Sequence, residues 1–594
     1  MPQGRKKIPF SGKAKKEQLK LKKQRKGRIL QKTSPTSLNY FLILVSNMSF
    51  MQESEENETF DRTRKINYQS KMNPGAKTNK YALIFHKETA EELRKRKEMA
   101  RQSLMPVEEK QLEIDANGYF PRELDFPKRP KWSYELSKQQ LDSKENRYFT
   151  EYLNEIEKKM TSTELGFFEL NLETWRQLWR VIEMSDIVLY IVDIRFSSLM
   201  FPPSLYEYVT KDLKKEFILV LNKIDLAPAS LVVAWKSYFE EMYPSVHIVM
   251  FTSLPGYNLI GSQSDKAGLQ VRRRRGRIHM AVEGAKTLLE VCKSIVGSEV
   301  DLSSWEQKIQ EEMETESRED EKVEVGEVVE QKTVDTSFFQ HERFKNGVLT
   351  IGCIGYPNVG KSSLMNALKG KKIVSVSKTP GHTKHFQTIF LTPKVRLCDC
   401  PGLVFPSKVP KTLQVLMGSF PIAQLREPYT TIKFLAERLD LPKLLRIHHP
   451  DNDNTWSAMD ICDGWAKKRG FITAKAARLD SYRGANSLLR MSLDGKICMC
   501  FKPPKYHSRS DFWSEHPEVQ KVIWIQGKSK EDNTLKKEIV DLYDSSEEVS
   551  DTEVPTKTQV DQTKTSSDDE DESSDDESAD ELQLITNKFA LLHD

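Results

Sequence analysis

Residues 354–363 read IGYPNVGKSS, and Gly355, Gly360, Lys361 and Ser362 within them fit G-x-x-x-x-G-K-[ST] after an apolar, strand-like run and before a helical one. That context predicts a phosphate cradle. Backbone amides of Asn358, Val359 and Gly360 and the following helix N-terminus wrap a β-phosphate. Lys361 is expected to neutralise the β/γ oxygens, Ser362 to ligand Mg²⁺, and Ser363 to continue the cradle into the helix.

Working outward, Asp399 ends an apolar strand and begins D-x-P-G with Pro401 and Gly402. An acid there is placed to hold Mg²⁺ through water, and the Gly402 amide to sense a γ-phosphate. Between these elements TPGHT, residues 379–383, offers Thr383 as a further magnesium ligand. Residues 220–228, more than a hundred positions before the cradle, read VLNKIDLAP, with Asn222, Lys223 and Asp225 forming N-K-x-D directly after a strand. The Asp225 carboxylate can accept from both the N1 and N2 hydrogens of guanine, which adenine lacks; Asn222 reaches the other edge and the stem of Lys223 covers the ring. Ser253, after Thr252 at the end of the next strand, is the candidate for the amide that meets guanine O6.

The base reader therefore precedes the phosphate cradle, the reverse of the usual order. Two independent domains would each need a full sheet, yet the earlier segment lacks a phosphate loop and the later one lacks a base reader. Joining the old ends and cutting after D-x-P-G rebuilds one sheet, because domain termini generally lie close together. Helix and strand alternate from Glu173 onward, so the expected fold is α/β: one circularly permuted nucleotide-binding domain with a parallel sheet and flanking helices.

With NKID, GYPNVGKSS, PGHT and DCPGLVFP in this order, the chain resembles the circularly permuted GTPases that include nucleostemin, the eukaryotic large-subunit GTPases and their bacterial ribosome-assembly relatives. The resemblance covers roughly residues 80–505. It departs at Asp193-Ile194-Arg195, where relatives often read D-A-R, and at the degenerate Ser253-Leu254. It implies a GTP/GDP switch with Mg²⁺, acting on ribosomal RNA or a pre-ribosomal particle in the nucleus or nucleolus, with shuttling to the cytoplasm. It also implies an Asn358 that helps to hold K⁺ beside the phosphates. Leu403 stands where ordinary GTPases carry a water-orienting glutamine region, so no catalytic residue is assigned; the expected intrinsic hydrolysis is slow and stimulated by a partner. Arg483, Arg490 and Lys496 match the family's C-terminal helical region, where they are candidates to face RNA. Two other readings stay open at this point: a signalling GTPase with a protein effector, and a nucleotide-sensing scaffold without useful turnover.

Composition sets the periphery. Of 594 residues, 30% are charged and 38% hydrophobic, which leaves room for long polar tails. The net charge of +5 hides segregation: residues 1–32 hold thirteen Lys or Arg against one Glu, whereas SSDDEDESSDDES, residues 566–578, is acidic and rich in serine. The basic arm suits phosphate backbones and an import receptor, and the acidic tail suits an acidophilic kinase. The apolar run within residues 37–51 is too short to span a bilayer, so no membrane role is expected. The seven cysteines, sparse and without C-x-x-C spacing, read as buried thiols. The expected organisation is a basic disordered tail over 1–80 and a helical extension over 81–170. The nucleotide domain follows over 171–405, with a charged, loop-like insertion at about 260–345. A mostly helical domain at 406–505 and a polar linker and acidic tail at 506–594 complete it.

Overall fold

The computed structural model describes residues 84–526, without 86–87, 162–163, 254–256, 260–270, 274–276, 317–341, 371–372, 375–386 and 474–477. The basic arm, the apolar run 37–51 and the acidic tail lie outside the described residues. A six-stranded sheet organises the rest. Its strands come from both sides of the sequence: β1 (Ile187–Asp193), β2 (Glu216–Asn222) and β3 (His247–Met250) from the earlier half. Strands β4 (Tyr257–Leu259) and β5 (Val271–Arg273) pair as a separate antiparallel ribbon. Strands β6 (Leu349–Gly355), β7 (Gln387–Thr392) and β8 (Val395–Asp399) complete the large sheet.

The strand order is β3-β2-β1-β6-β8-β7, parallel except for β7 against β8. The two halves meet in the middle, where Ile187–Ile191 of β1 run parallel to Ile351–Gly355 of β6. Both central strands are buried along their whole length, as continuous apolar runs covered on two faces should be. The edge strand β7 is only partly buried. Two half-sheets with their inner edges unpaired would expose a row of backbone donors and acceptors, so this junction ties each half's folding to the other's.

Three regions differ from the sequence reading. The insertion at about 260–345 contains two helices, Arg277–Val296 and Ser303–Glu316, not loops alone. The first packs on β3 and on the helix Lys361–Lys369, burying Ala281, Val282, Ala285, Leu288, Leu289, Cys292 and Val296 at helical spacing. The run of arginines before it and the acidic stretch after it disguise that stripe. Residues 506–526, read as polar linker, carry the helices Ser510–Glu515 and Glu518–Ile525, which pack on the helix Ala229–Met242. Gln526 seals them there, donating to the carbonyls of Ile224 (2.7 Å) and Ala227 (2.9 Å). The run ICMCF, residues 497–501, reads in sequence as a short strand but forms none; the N–H groups of Phe501 and Lys502 instead donate to the carbonyls of Arg195 and Leu112.

The amino-terminal extension holds distant parts together. Helices Ala90–Met99 and Lys138–Lys159 both start with a capping box, at Thr89/Glu92 and Ser137/Gln140. Between and after them, extended backbone bonds to the carbonyls of Trp456, Glu437, Lys502, Ser407 and Val404. Gln414 lies at the tightest of these joints: it is fully buried, and its amide accepts from the Phe167 N–H (2.6 Å) and donates to the Phe167 carbonyl (2.8 Å). Replacing Gln414 with Leu removes both partners while keeping bulk. Each stranded backbone group should cost about 1–3 kcal/mol, read as a lowered midpoint in urea unfolding; an unchanged midpoint would show that the joint carries no stability.

Candidate functional site

In open parallel sheets the ligand crevice lies at the carboxyl ends of the strands where the chain switches direction, here between β1 and β6. The loop after β6 turns into the helix Lys361–Lys369 at Gly360, whose φ of 99° suits glycine. A Cβ at Gly360 would sit 2.4 Å from Asn222 Nδ2, so the loop after β2 and the loop after β6 touch where a side chain cannot fit.

Two hydrogen bonds lace the distant segments together and a third braces them. Asn222 Nδ2 donates to the Val359 carbonyl (2.7 Å), Lys223 Nζ to the Asn358 carbonyl (2.6 Å), and Ser253 Oγ to Asn222 Oδ1 (3.2 Å). Asp225 is nearly buried, and its Oδ1 accepts from the fully buried Thr252 hydroxyl (2.6 Å). Thr252 thus fixes the carboxylate, while Ser253 braces Asn222.

At the other end of the crevice Lys361 is buried and donates to the carbonyls of Gly355 (3.1 Å) and Tyr356 (2.7 Å). Burial pulls its pKa down, opposed chiefly by Asp399. The Ser362 hydroxyl donates to Asp399 Oδ2 at 3.0 Å. Asp399 is fully buried, and burial pushes its pKa up to about 6 against the pull of Lys361 and Ser362. Its Oδ1 has no hydrogen-bond partner among the described residues. A hydroxyl and a carboxylate in contact, with one carboxylate oxygen unsatisfied, form a donor set of the hard oxygen type that Mg²⁺ takes. Ser363 follows, half-buried, on the same helix.

Other sequence candidates are placed differently. Thr383, with His382 and His385, lies outside the described residues. Leu403 is fully buried, with its N–H on the Gly355 carbonyl at 3.3 Å, so its side chain belongs to the core. Gly402 approaches Pro357 and Lys361 closely, which keeps the D-x-P-G turn against the phosphate loop. Asn358 has a left-handed φ of 58° and donates its side-chain amide to the Gly418 carbonyl (3.0 Å), linking the loop to the helical region. All seven cysteines are free and six are buried, with Cys498 and Cys500 Sγ 3.9 Å apart. Sequence reasoning noted Asp193 and Arg195 only as a departure from a family pattern. The structure places both, fully desolvated, directly behind Lys223. The signal available was the charge pair at the end of a strand otherwise wholly apolar.

The comparisons agree with this geometry. Residues 350–429 match the family model described as 50S ribosome-binding GTPase. Guanine nucleotide-binding protein-like 1 of Mus musculus is 47% identical over 88% of this chain and 89% of its own length, and that of Homo sapiens 46% over the same shares. Large subunit GTPase 1 of Saccharomyces cerevisiae is 30% identical over 72% of this chain and 66% of its own length. With the sheet order, the laced half-sites and these identities in hand, the chain belongs to the guanine nucleotide-binding protein-like 1 family of circularly permuted GTPases.

Proposed function

We propose that this GTPase works as a slow switch in assembly of the large ribosomal subunit, binding GTP in the crevice between β1 and β6. The observation that carries the site is the lacing of Asn222 and Lys223 to the Asn358–Val359 loop, with Ser253 bracing Asn222. The names of the yeast relative and of the matching family model support the particle. Asp225 reads the base, Asn222 ties the base loop to the phosphate loop, and the stem of Lys223 covers the ring. Amides of residues 358–363 and Lys361 take the phosphates, Gly402 senses the γ-phosphate, and Ser362, Asp399 and Thr383 hold Mg²⁺. When bound, Mg²⁺ neutralises developing charge on the β/γ oxygens. Buried Lys361 is pre-set to meet that charge and buried Asp399 to hold the ion, and electrostatic interactions between desolvated groups are stronger than in bulk water.

At the periphery, the basic arm 1–32 contacts rRNA phosphates and an import receptor, and the serine-rich tail 566–578 is a substrate for an acidophilic kinase. Location is nuclear and nucleolar with shuttling. Arg483 and Arg490 are exposed on the helix Ser481–Leu493, where rRNA is the proposed contact.

Competition with a fluorescent GDP analogue tests the pocket. Asp225→Asn should move preference from guanine to xanthine nucleotides by about 1–3 kcal/mol, roughly fivefold to 150-fold. Lys361→Ala should weaken every nucleotide by a similar factor. Unchanged base preference in Asp225→Asn would remove the guanine reading.

Because Leu403 is buried, Leu403→Gln should not accelerate single-turnover GTP hydrolysis, and the stranded amide should lower stability by about 1–3 kcal/mol. A rate gain would mean that the position faces the phosphates. Purified large subunits should raise the wild-type rate; no response to them favours a protein effector. Asn358 is the proposed K⁺ contact, so hydrolysis should be faster in KCl than in NaCl, and equal rates would dismiss the ion.

A further inference from the structure

Lys223 does not stand alone behind the base. Its ammonium donates to Asp193 Oδ2 (2.8 Å) as well as to the Asn358 carbonyl (2.6 Å). The same carboxylate accepts from Arg195: Nε on Oδ1 at 3.0 Å, Nη2 on Oδ2 at 2.8 Å, and the backbone N–H on Oδ1 at 3.1 Å. Asp193 is therefore saturated with donors, 1% exposed, and held ionised by the two cations despite its burial.

The third arm of Arg195 reaches out of this cluster. Nη1 donates to the Ser492 carbonyl (2.8 Å), in the last turn of the helix Ser481–Leu493, 297 residues along the chain. A cation there complements the carbonyl end of the helix. The backbone closes the same joint, since the Phe501 N–H donates to the Arg195 carbonyl at 2.9 Å. Beside it Gly495, just past the helix end, packs against Leu226, the neighbour of the base-reading Asp225. One buried guanidinium thus ties the end of a helix in the carboxyl-terminal region to the carboxylate that sets Lys223.

We propose that Asp193 and Arg195 are positioning residues for the guanine site, and that they make nucleotide affinity depend on the seating of the helix Ser481–Leu493. The inference rests on the assignment of Lys223 and Asp225 to the guanine base. With Arg195 seated on Ser492, its fork aligns Asp193, and Asp193 holds the Lys223 ammonium between itself and the phosphate loop, with the stem laid along the base. If the helix end lifts away, the fork loses one anchor and the Lys223 stem is free to leave the ring. Linkage makes the effect mutual: whatever the seated helix adds to nucleotide binding, bound nucleotide returns as firmer seating of the helix. A partner that grips the helical region could then load or release nucleotide without touching the pocket.

The test uses the full chain with GDP as probe. Arg195→Gln removes the charge; Arg195→Lys keeps it beside Asp193 but loses the planar fork that spans to Ser492, and serves where the first variant folds poorly in a melting scan. GDP affinity should fall roughly five- to a hundredfold in either variant. Lys223→Ala should cost less in the Arg195→Lys background than in wild type, because the two residues act through one carboxylate. Amide hydrogen exchange supplies a readout that a merely structural role would not move: GDP should slow exchange over residues 492–501 in wild type and not in Arg195→Lys. Additive losses from Lys223 and Arg195, or the same GDP-induced protection in the variant, would overturn the proposal. Failure of wild type to bind GDP at all would instead overturn the guanine reading beneath it.

Discussion

Asn222 donates to the Val359 carbonyl across 137 residues of chain, and that buried bond joins the two halves of the proposed nucleotide site. The bond exists only because β1 and β6 pair in register at the centre of the sheet, which brings the ends of β2 and β6 to the same edge of the crevice. Gly360 then lets the loops close to contact distance. Neither half can assemble a binding site without the other. The permuted connectivity therefore leaves the nucleotide site intact while moving the chain's cut to the segment after D-x-P-G.

That move decides what the nucleotide can reach. In this order, the D-x-P-G loop, Asp399 to Gly402, proposed to sense the γ-phosphate, runs directly into the helical region instead of into the next element of the sheet. The helical region leans back on the pocket at Asn358–Gly418, Arg195–Ser492 and Leu226–Gly495. The amino-terminal extension wraps the outside of the same region, with Gln414 and the carbonyls of Ser407 and Val404 as its anchors. A small change at Asp399 is thus delivered into a region held from two sides, the arrangement from which discrete repacking arises.

Much of this was legible in the sequence, for physical reasons. The central strands are unbroken apolar runs, and the loops that follow carry residue types with few other uses, so fold class and pocket could be read from Gly355, Lys361, Asn222 and Asp225. Three things were hidden. The stripe of the helix Arg277–Val296 sits between strongly charged stretches that dominate local composition. Gln526 and Gln414 act through backbone partners hundreds of residues away, which no local window contains. Asp193 and Arg195 stood out only as a departure from a family pattern, because burial of a charge pair depends on what packs over it, here the end of the helix Ser481–Leu493.

The claim that most needs testing is that the two distant motifs serve a single ligand. Calorimetric titration of xanthosine diphosphate into Asp225→Asn, and into the same chain carrying Lys361→Ala as well, asks this directly. One shared pocket predicts that Asp225→Asn gains xanthosine diphosphate binding at one site per chain and that the second substitution weakens it strongly. Equal affinity in both chains would mean that the base reader and the phosphate loop hold different molecules, and the single-pocket account would fail.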